Sequence, residues 1–216
     1  LNKKPLVIIG GGGHASVLVD ILLSQGREIL AVISQHDISS RRIFSGFPHL
    51  TQDTDVKKFT PSEIILVNGI GIQANSDFRQ KINSYFIEVG YEFETVIANS
   101  SIVSPYAEIK TGVQIFPSVI IQAGVTIEEH SIINTGAIIE HDCKIGSNNH
   151  IAPRAVLCGG VTTAKNVYIG ANATVIQGIS IEEKSIVGAG AILTQNLPSQ
   201  STCYPNRSLI KTNKLK

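Results

Sequence analysis

Between an apolar run, Leu6 to Ile9, and an amphipathic stretch that begins at Ser16 lies Gly10-Gly11-Gly12-Gly13-His14-Ala15. A glycine turn leading from a strand into a helix presents free backbone N–H groups and the positive helix end, where a phosphate can sit. Gly10, Gly12 and Ala15 satisfy the GxGxxG/A spacing of dinucleotide sites. However, the residue ending the next strand, where an acid would hold a ribose 2′-hydroxyl, is Ser34, and only about 90 residues are available to this unit. The favoured ligand is therefore the pyrophosphate of a nucleotide sugar rather than NAD or NADP. Gly10, Gly12, Gly13, His14 and Ser34 form the candidate substrate-binding set, with His14 as a donor to phosphate or sugar; glycines placed for packing alone are the other reading. Further along, His130, His141 and His150 stand eleven and nine residues apart, intervals poorly matched to one zinc, so no metal is expected. No Cys or Ser is visibly paired with a base, which argues against an acyl-enzyme.

The elements that must hold these residues follow from composition and period. The chain has 216 residues, 18 Lys and Arg against 17 Asp and Glu, 43% hydrophobic and only 6% aromatic residues, and neither Trp nor Met. A net charge of +1 gives no basic stripe for nucleic acid or anionic lipid. No stretch reaches the roughly 20 apolar residues of a membrane span. The run at Leu6 is too short for a signal peptide. The three cysteines, Cys143, Cys158 and Cys203, form no CxxC and are odd in number, which reads as reduced thiols in the cytoplasm. A core without large side chains points to a repeat.

Stepping by six from Ile97 gives seventeen positions ending at Leu193, all Ile, Val or Leu except Thr163. Two residues before each lies a series of small or β-branched side chains, including Ala137, Cys143, Asn149 and Ala155. No helical period produces this pattern. It describes short strands joined by tight corners, three to a turn, stacked as a parallel β-solenoid of between five and six coils with both series facing inward. Ahead of it the chain reads as a βαβ unit: strands at Leu6 to Ile9, Ile29 to Ile33 and Glu63 to Val67, and helices at Ser16 to Leu23 and Asn75 to Val89, the latter with Phe78, Ile82, Tyr85 and Val89 on one face. The expected domains are a small Rossmann-like α/β nucleotide-sugar-binding unit over 1–94, an all-β solenoid over 95–200 and a tail over 201–216.

The solenoid resembles the hexapeptide repeat of left-handed β-helix acyltransferases. A glycine-turn βαβ unit followed by coils carrying Asn134-Thr135-Gly136 and Ile139-Glu140-His141-Asp142-Cys143 resembles the sugar acetyltransferases that include the bacillosamine-pathway and perosamine N-acetyltransferases and the sialic acid O-acetyltransferases. The resemblance spans nearly the whole chain and implies the left hand of the helix, acetyl-CoA as co-substrate and a homotrimer with sites between subunits. It also implies His141 as general base, oriented by Asp142 in preference to Glu140, His150 near acetyl-CoA, and the Gly159 N–H on the thioester oxygen. Asn134 maps to the sugar, and Ala171 and Ala189 to CoA. The spacing adds an independent point: nine residues is half a coil, so His141 and His150 lie on different sides of one prism, do not easily share a site within one subunit, and can meet across a subunit interface.

The expected activity is transfer of acetyl from acetyl-CoA to the 4-amino group of a nucleotide-linked 4-amino-4,6-dideoxyhexose for surface glycan synthesis. Ser34-Gln35-His36-Asp37 lacks the paired acids of the bacillosamine-pathway enzyme, which counts against UDP and leaves dTDP or GDP open; dTDP is the nucleotide favoured here. Cys203-Tyr204-Pro205-Asn206 replaces the family's closing G-x-P-A, and Arg207, Lys211, Lys214 and Lys216 are candidates for the CoA 3′-phosphate. Alternatives are O-acetylation of a sialic-acid-like sugar, a metal-dependent hydratase resembling γ-type carbonic anhydrase, and a non-catalytic nucleotide-sugar-binding scaffold.

Overall fold

The computed structural model describes residues 3–206; Arg207 and the lysines after it lie outside the described residues. The N-terminal unit holds β1 (Leu6–Ile9), α1 (Gly13–Ser24), β2 (Ile29–Ile33), β3 (His49–Leu50), β4 (Ile65–Asn68) and α2 (Phe78–Glu88). Its sheet is parallel in the order β3-β2-β1-β4. All four residues of β1 are buried, as a central parallel strand with helices packed on it requires.

Several elements differ from the sequence reading: α1 starts at Gly13 instead of Ser16, and β4 spans Ile65–Asn68 instead of Glu63 to Val67. The short edge strand β3 was not anticipated, since two residues carry no periodicity. Helix α2 begins three residues later than expected because Asn75 takes a left-handed backbone (φ 63°) that a helix cannot continue through. Its inward face is also different: Arg79, Asn83 and Phe86 are buried, whereas Phe78 and Val89 are 55% and 39% exposed. The polar end of β4 selects that face. Asn68 donates its amide to Asn83 Oδ1 (2.7 Å), and the Arg79 guanidinium donates to the carbonyls of Asn68 and Ile70.

From Val96 onward the chain forms a left-handed parallel β-helix. Its two-residue strands pair eighteen residues apart, as Ile115 with Ile133 and Ile133 with Ile151, until the last coil, where Ile186 pairs with Thr202. The inner columns are closed: Ile121, Ile127, Ile139, Ile145 and Ile151 are at most 1% exposed. At roughly 0.8 kcal/mol per buried CH₂ they dominate the stability of this half. Ile97, at the open end with no coil beneath it, is 37% exposed. The polar breaks in the two series answer each other, for Asn149 donates to Thr163 Oγ1 (2.5 Å) and accepts from the Val167 N–H (2.7 Å).

The prism has three unlike outer faces. One presents Glu108, Thr126, Lys144, Thr162 and Ser180. A second, presenting Gln114, Ile132 and His150, is covered by the N-terminal unit, and all three are buried. The third presents Ile102, Ile120, Ile138, Val156, Thr174 and Ile192, with Ile102 67% and Ile192 68% exposed.

Candidate active site

His141 and Asp142 form the corner between the strands Ile138–Ile139 and Lys144–Ile145. Asp142 adopts the left-handed conformation (φ 61°) that closes the corner, and this folds its carboxylate back onto its neighbour. Nδ1 of His141 donates to Asp142 Oδ2 (2.9 Å), leaving Nε2 as the proton acceptor. Glu140 makes no hydrogen bond to the ring, so Asp142 is the acid that meets it. Both side chains are exposed, 66% and 73%. Glycines in the coils on either side leave room for the pair: the Asp142 carboxylate lies over Gly124, and the imidazole lies over Gly159, where a Cβ would come within 2.5 Å of Nε2. The Gly159 N–H donates to no backbone carbonyl among the described residues. An imidazole oriented by a carboxylate beside an open N–H can accept a proton and stabilise a neighbouring oxyanion.

His150 lies elsewhere, on the face covered by the N-terminal unit. It is 6% exposed and stacks on Tyr168 (centroids 5.0 Å apart), with Nδ1 buried and without a partner. Burial, with the Arg79 charge added, lowers its pKa from 6.5 to about 4. As the spacing required, one chain does not bring His141 and His150 to one corner.

The glycine turn faces the same covered side. The Gly10 N–H is bonded to Ile33 O (2.7 Å), and Gly10 carries the left-handed φ of 95° that makes the turn. Gly12 caps α1 with no side-chain hydrogen bond, so the first-turn N–H groups stay open for an anion. His14 is held by Gln114 of the prism through Nε2 (2.8 Å) and lies against the Phe116 ring (4.9 Å). Burial, then Arg79, lowers its pKa to about 3. A neutral ring with its Nε2–H committed to Gln114 offers Nδ1 as an acceptor, not the donor expected for phosphate. Ser34 is also turned away: its hydroxyl donates to His36 O (3.0 Å) and packs beneath Gly11. Asn134 Oδ1 accepts from the Thr135 N–H (2.8 Å).

Ala171 and Ala189 stack one coil apart at the corner after the covered face, separate from His141 and Gly159. Three residues escaped the sequence reading. Arg41 lies beside Gly13, with Nη1 3.9 Å from where a Cβ would stand; Gln114 and Arg79 join the two units. Gln114 was hidden because its outward strand position resembles any polar surface site, and Arg79 because buried cations are not expected inside a helix face. A cleft of about 530 Å³ opens at the remaining corner, between Ile72, Asn75, Asp77, Asn166, Tyr168 and Lys184, and holds none of the expected site residues. Among the described residues no cluster of His, Cys, Asp or Glu could hold a metal ion, and no helix is long and apolar enough to cross a membrane.

A parallel β-helix of hexapeptide coils behind a Rossmann-like unit, with a histidine–carboxylate pair at an open corner, defines a hexapeptide-repeat acetyltransferase. The PglD N-terminal domain model matches residues 5–86, the bacterial transferase hexapeptide model residues 124–159, and the hexapeptide repeat of succinyl-transferase residues 165–195. The chain is similar to PerB from Caulobacter crescentus, solved in complex with CoA and GDP-perosamine, at 31% identity and a TM-score of 0.82 over 94% of each chain. It is 27% identical over 166 residues to the GDP-perosamine N-acetyltransferase of Escherichia coli, covering 75% of this chain and 73% of that one. The acetyltransferase domain of PglB from Neisseria gonorrhoeae, solved with acetyl coenzyme A, shares the fold, with a TM-score of 0.84 at 24% identity over 96% of this chain and 100% of that one. The chain belongs to the hexapeptide-repeat sugar acetyltransferase family.

Proposed function

We propose that the protein acetylates the 4-amino group of a nucleotide-linked 4-amino-4,6-dideoxy sugar, with acetyl-CoA as donor, in the cytoplasmic synthesis of a surface glycan. The observation that carries this reading is the His141–Asp142 pair lying over the Gly159 backbone. As the neutral amine attacks the thioester carbonyl, His141 Nε2 takes the proton that the nitrogen sheds, Asp142 steadies the imidazolium, and the Gly159 N–H holds the oxyanion. The intermediate then collapses with loss of the CoA thiolate. His141 returns the proton to that leaving group.

The assembly is proposed as a homotrimer. Of the three outer faces, only the one bearing Ile102, Ile138 and Ile192 is both apolar and uncovered. Its two bounding corners are the one holding His141 with Gly159 and the one holding Ala171 with Ala189. Three copies packed through that face bring these unlike corners together, a heterologous contact that closes as a ring. The acetyl-CoA site then lies between neighbours, with Ala171 and Ala189 lining the pantetheine and the His150 side within reach of the acetyl end.

The N-terminal unit, 1–94, is proposed to hold the nucleotide sugar, its pyrophosphate on the open N–H groups of Gly12 and Gly13 with Arg41 alongside. Asn134 is assigned to the sugar. The acids missing after β2 count against UDP and leave dTDP and GDP open; the similar Escherichia coli protein is a GDP-perosamine N-acetyltransferase and PerB was solved with GDP-perosamine, so we take GDP as the first nucleotide to test. A thermal-shift panel of GDP-, dTDP- and UDP-linked amino sugars with CoA decides it, because preferential binding to the native state raises the Tm. The activity test is His141→Ala, expected to lose about 10²- to 10⁴-fold in kcat while still binding acetyl-CoA. Retained turnover would remove His141 as the base, and acetylation of a hydroxyl acceptor in place of the amine would establish the O-acetyltransferase alternative.

A further inference from the structure

Gln114 is 1% exposed and comes from the prism, yet both ends of its amide bond to the N-terminal unit. Its Nε2 donates to Asn68 O (2.8 Å) and its Oε1 stands 2.8 Å from His14 Nε2. The orientation of that amide is not free. A backbone carbonyl only accepts, so the end facing Asn68 is the NH₂ and the end facing His14 is the carbonyl oxygen. His14 Nε2 must therefore carry the hydrogen. Asn68 is itself fixed, its carbonyl also receiving Arg79 Nη1 (2.9 Å) and its side chain bridging Asn83 and the Ile70 N–H. The remaining ring nitrogen, Nδ1, has no partner among the described residues. It faces Gly71, where a Cβ would lie 3.8 Å from it, so no side chain there covers the lone pair.

We propose that Gln114 is a positioning residue that locks His14 in its Nε2–H tautomer, so that His14 Nδ1 accepts a hydrogen bond from a donor on the sugar, a hydroxyl or the amino group, and turns phosphate oxygens away. The lock spans the two units. It forms only when the N-terminal unit is seated on the prism, so the glycine turn acquires its polarity from a residue one hundred positions along the chain. Loss of ring charge through burial and the nearby Arg79 cation is consistent with a single neutral tautomer. This inference rests on the acetyltransferase reading for the identity of the ligand and not for the tautomer.

The experiment has two arms. In ¹⁵N-histidine-labelled full-length protein without ligand, the His14 ring should show a protonated Nε2 and a bare Nδ1. Gln114→Met, which retains volume and removes both hydrogen bonds, should mix the two tautomers. In steady-state assays with acetyl-CoA and a GDP-linked 4-amino sugar, Gln114→Met should raise the sugar KM roughly three- to tenfold, the range of one hydrogen bond, with the acetyl-CoA KM unchanged. In a His14→Ala background the same change should no longer alter the sugar KM, an outcome a merely structural role for Gln114 would not produce. A wild-type ring protonated on Nδ1, or a Gln114→Met effect of equal size with and without His14, would overturn the proposal. Failure of the wild type to acetylate any nucleotide-linked amino sugar would retire the assigned ligand together with the acetyltransferase reading, and the tautomer arm would still judge Gln114.

Discussion

The imidazole of His141 rests on the backbone of Gly159, one coil further along the chain, so closely that a Cβ at that glycine would stand 2.5 Å from Nε2. Gly159 does not occupy the left-handed region, so the requirement for glycine is contact and not backbone conformation. Gly159→Ala is therefore expected to fold normally and to displace the ring. Its kcat should drop at least tenfold with unchanged thermal stability. A variant of wild-type activity would show that the ring is free to move and that the contact is incidental.

Asp142→Asn removes the carboxylate that accepts from His141 Nδ1 while keeping a side-chain oxygen at the same corner. In the proposed mechanism the His141 imidazolium then loses its counter-charge, so kcat should fall by about 10²-fold or more, within the range of assisted general-base catalysis, with both KM values little changed. Glu140→Gln should act weakly in the same assay. An inverted result would exchange their roles.

The apolar face is tested by Ile138→Glu, which sets a charge in the middle of the column. If the proposed trimer forms through this face, light scattering should then show a single-chain species whose circular dichroism matches that of the wild type. Activity should disappear with the proposed assembly, in which the His141 corner works against its neighbour. A trimer that survives this substitution would place the interface elsewhere.

Burial holds His14 and His150 neutral in the folded chain, with pKa values lowered from 6.5 to about 3 and about 4. Below pH 6.5 the unfolded chain binds protons that the native state refuses, so these groups subtract stability as the pH falls, until about 4 for His150 and about 3 for His14. The Tm of His150→Gln should therefore decline less steeply than wild type between pH 6.5 and 4. Parallel curves would show that His150 titrates normally.

Inside the prism, Thr163→Val restores the aliphatic series and by that logic should stabilise. The structure requires the opposite, since Asn149 Nδ2 donates to Thr163 Oγ1. An orphaned buried amide costs about 1–3 kcal/mol, so the urea midpoint should fall. An unchanged midpoint would mean the amide finds another acceptor.

By itself the sequence determined the stacked coils of the prism, though not their hand, because an aliphatic side chain every sixth residue fits short inward-facing strands and no helix, and no distant contact is needed to read a local period. The βαβ order and the glycine turn were legible from local runs of the same kind, whereas His141 with Asp142 was nominated through the resemblance carried by Glu140-His141-Asp142. What tertiary structure decided was polarity across distance. The buried face of α2 was chosen by the polar end of β4, Ser34 was turned into its own loop, and His14 became an acceptor because Gln114, far along the chain, arrived with its amide already oriented by Asn68. Hydrogen-bond direction depends on which partner the fold delivers, and that partner leaves no periodic mark in the chain.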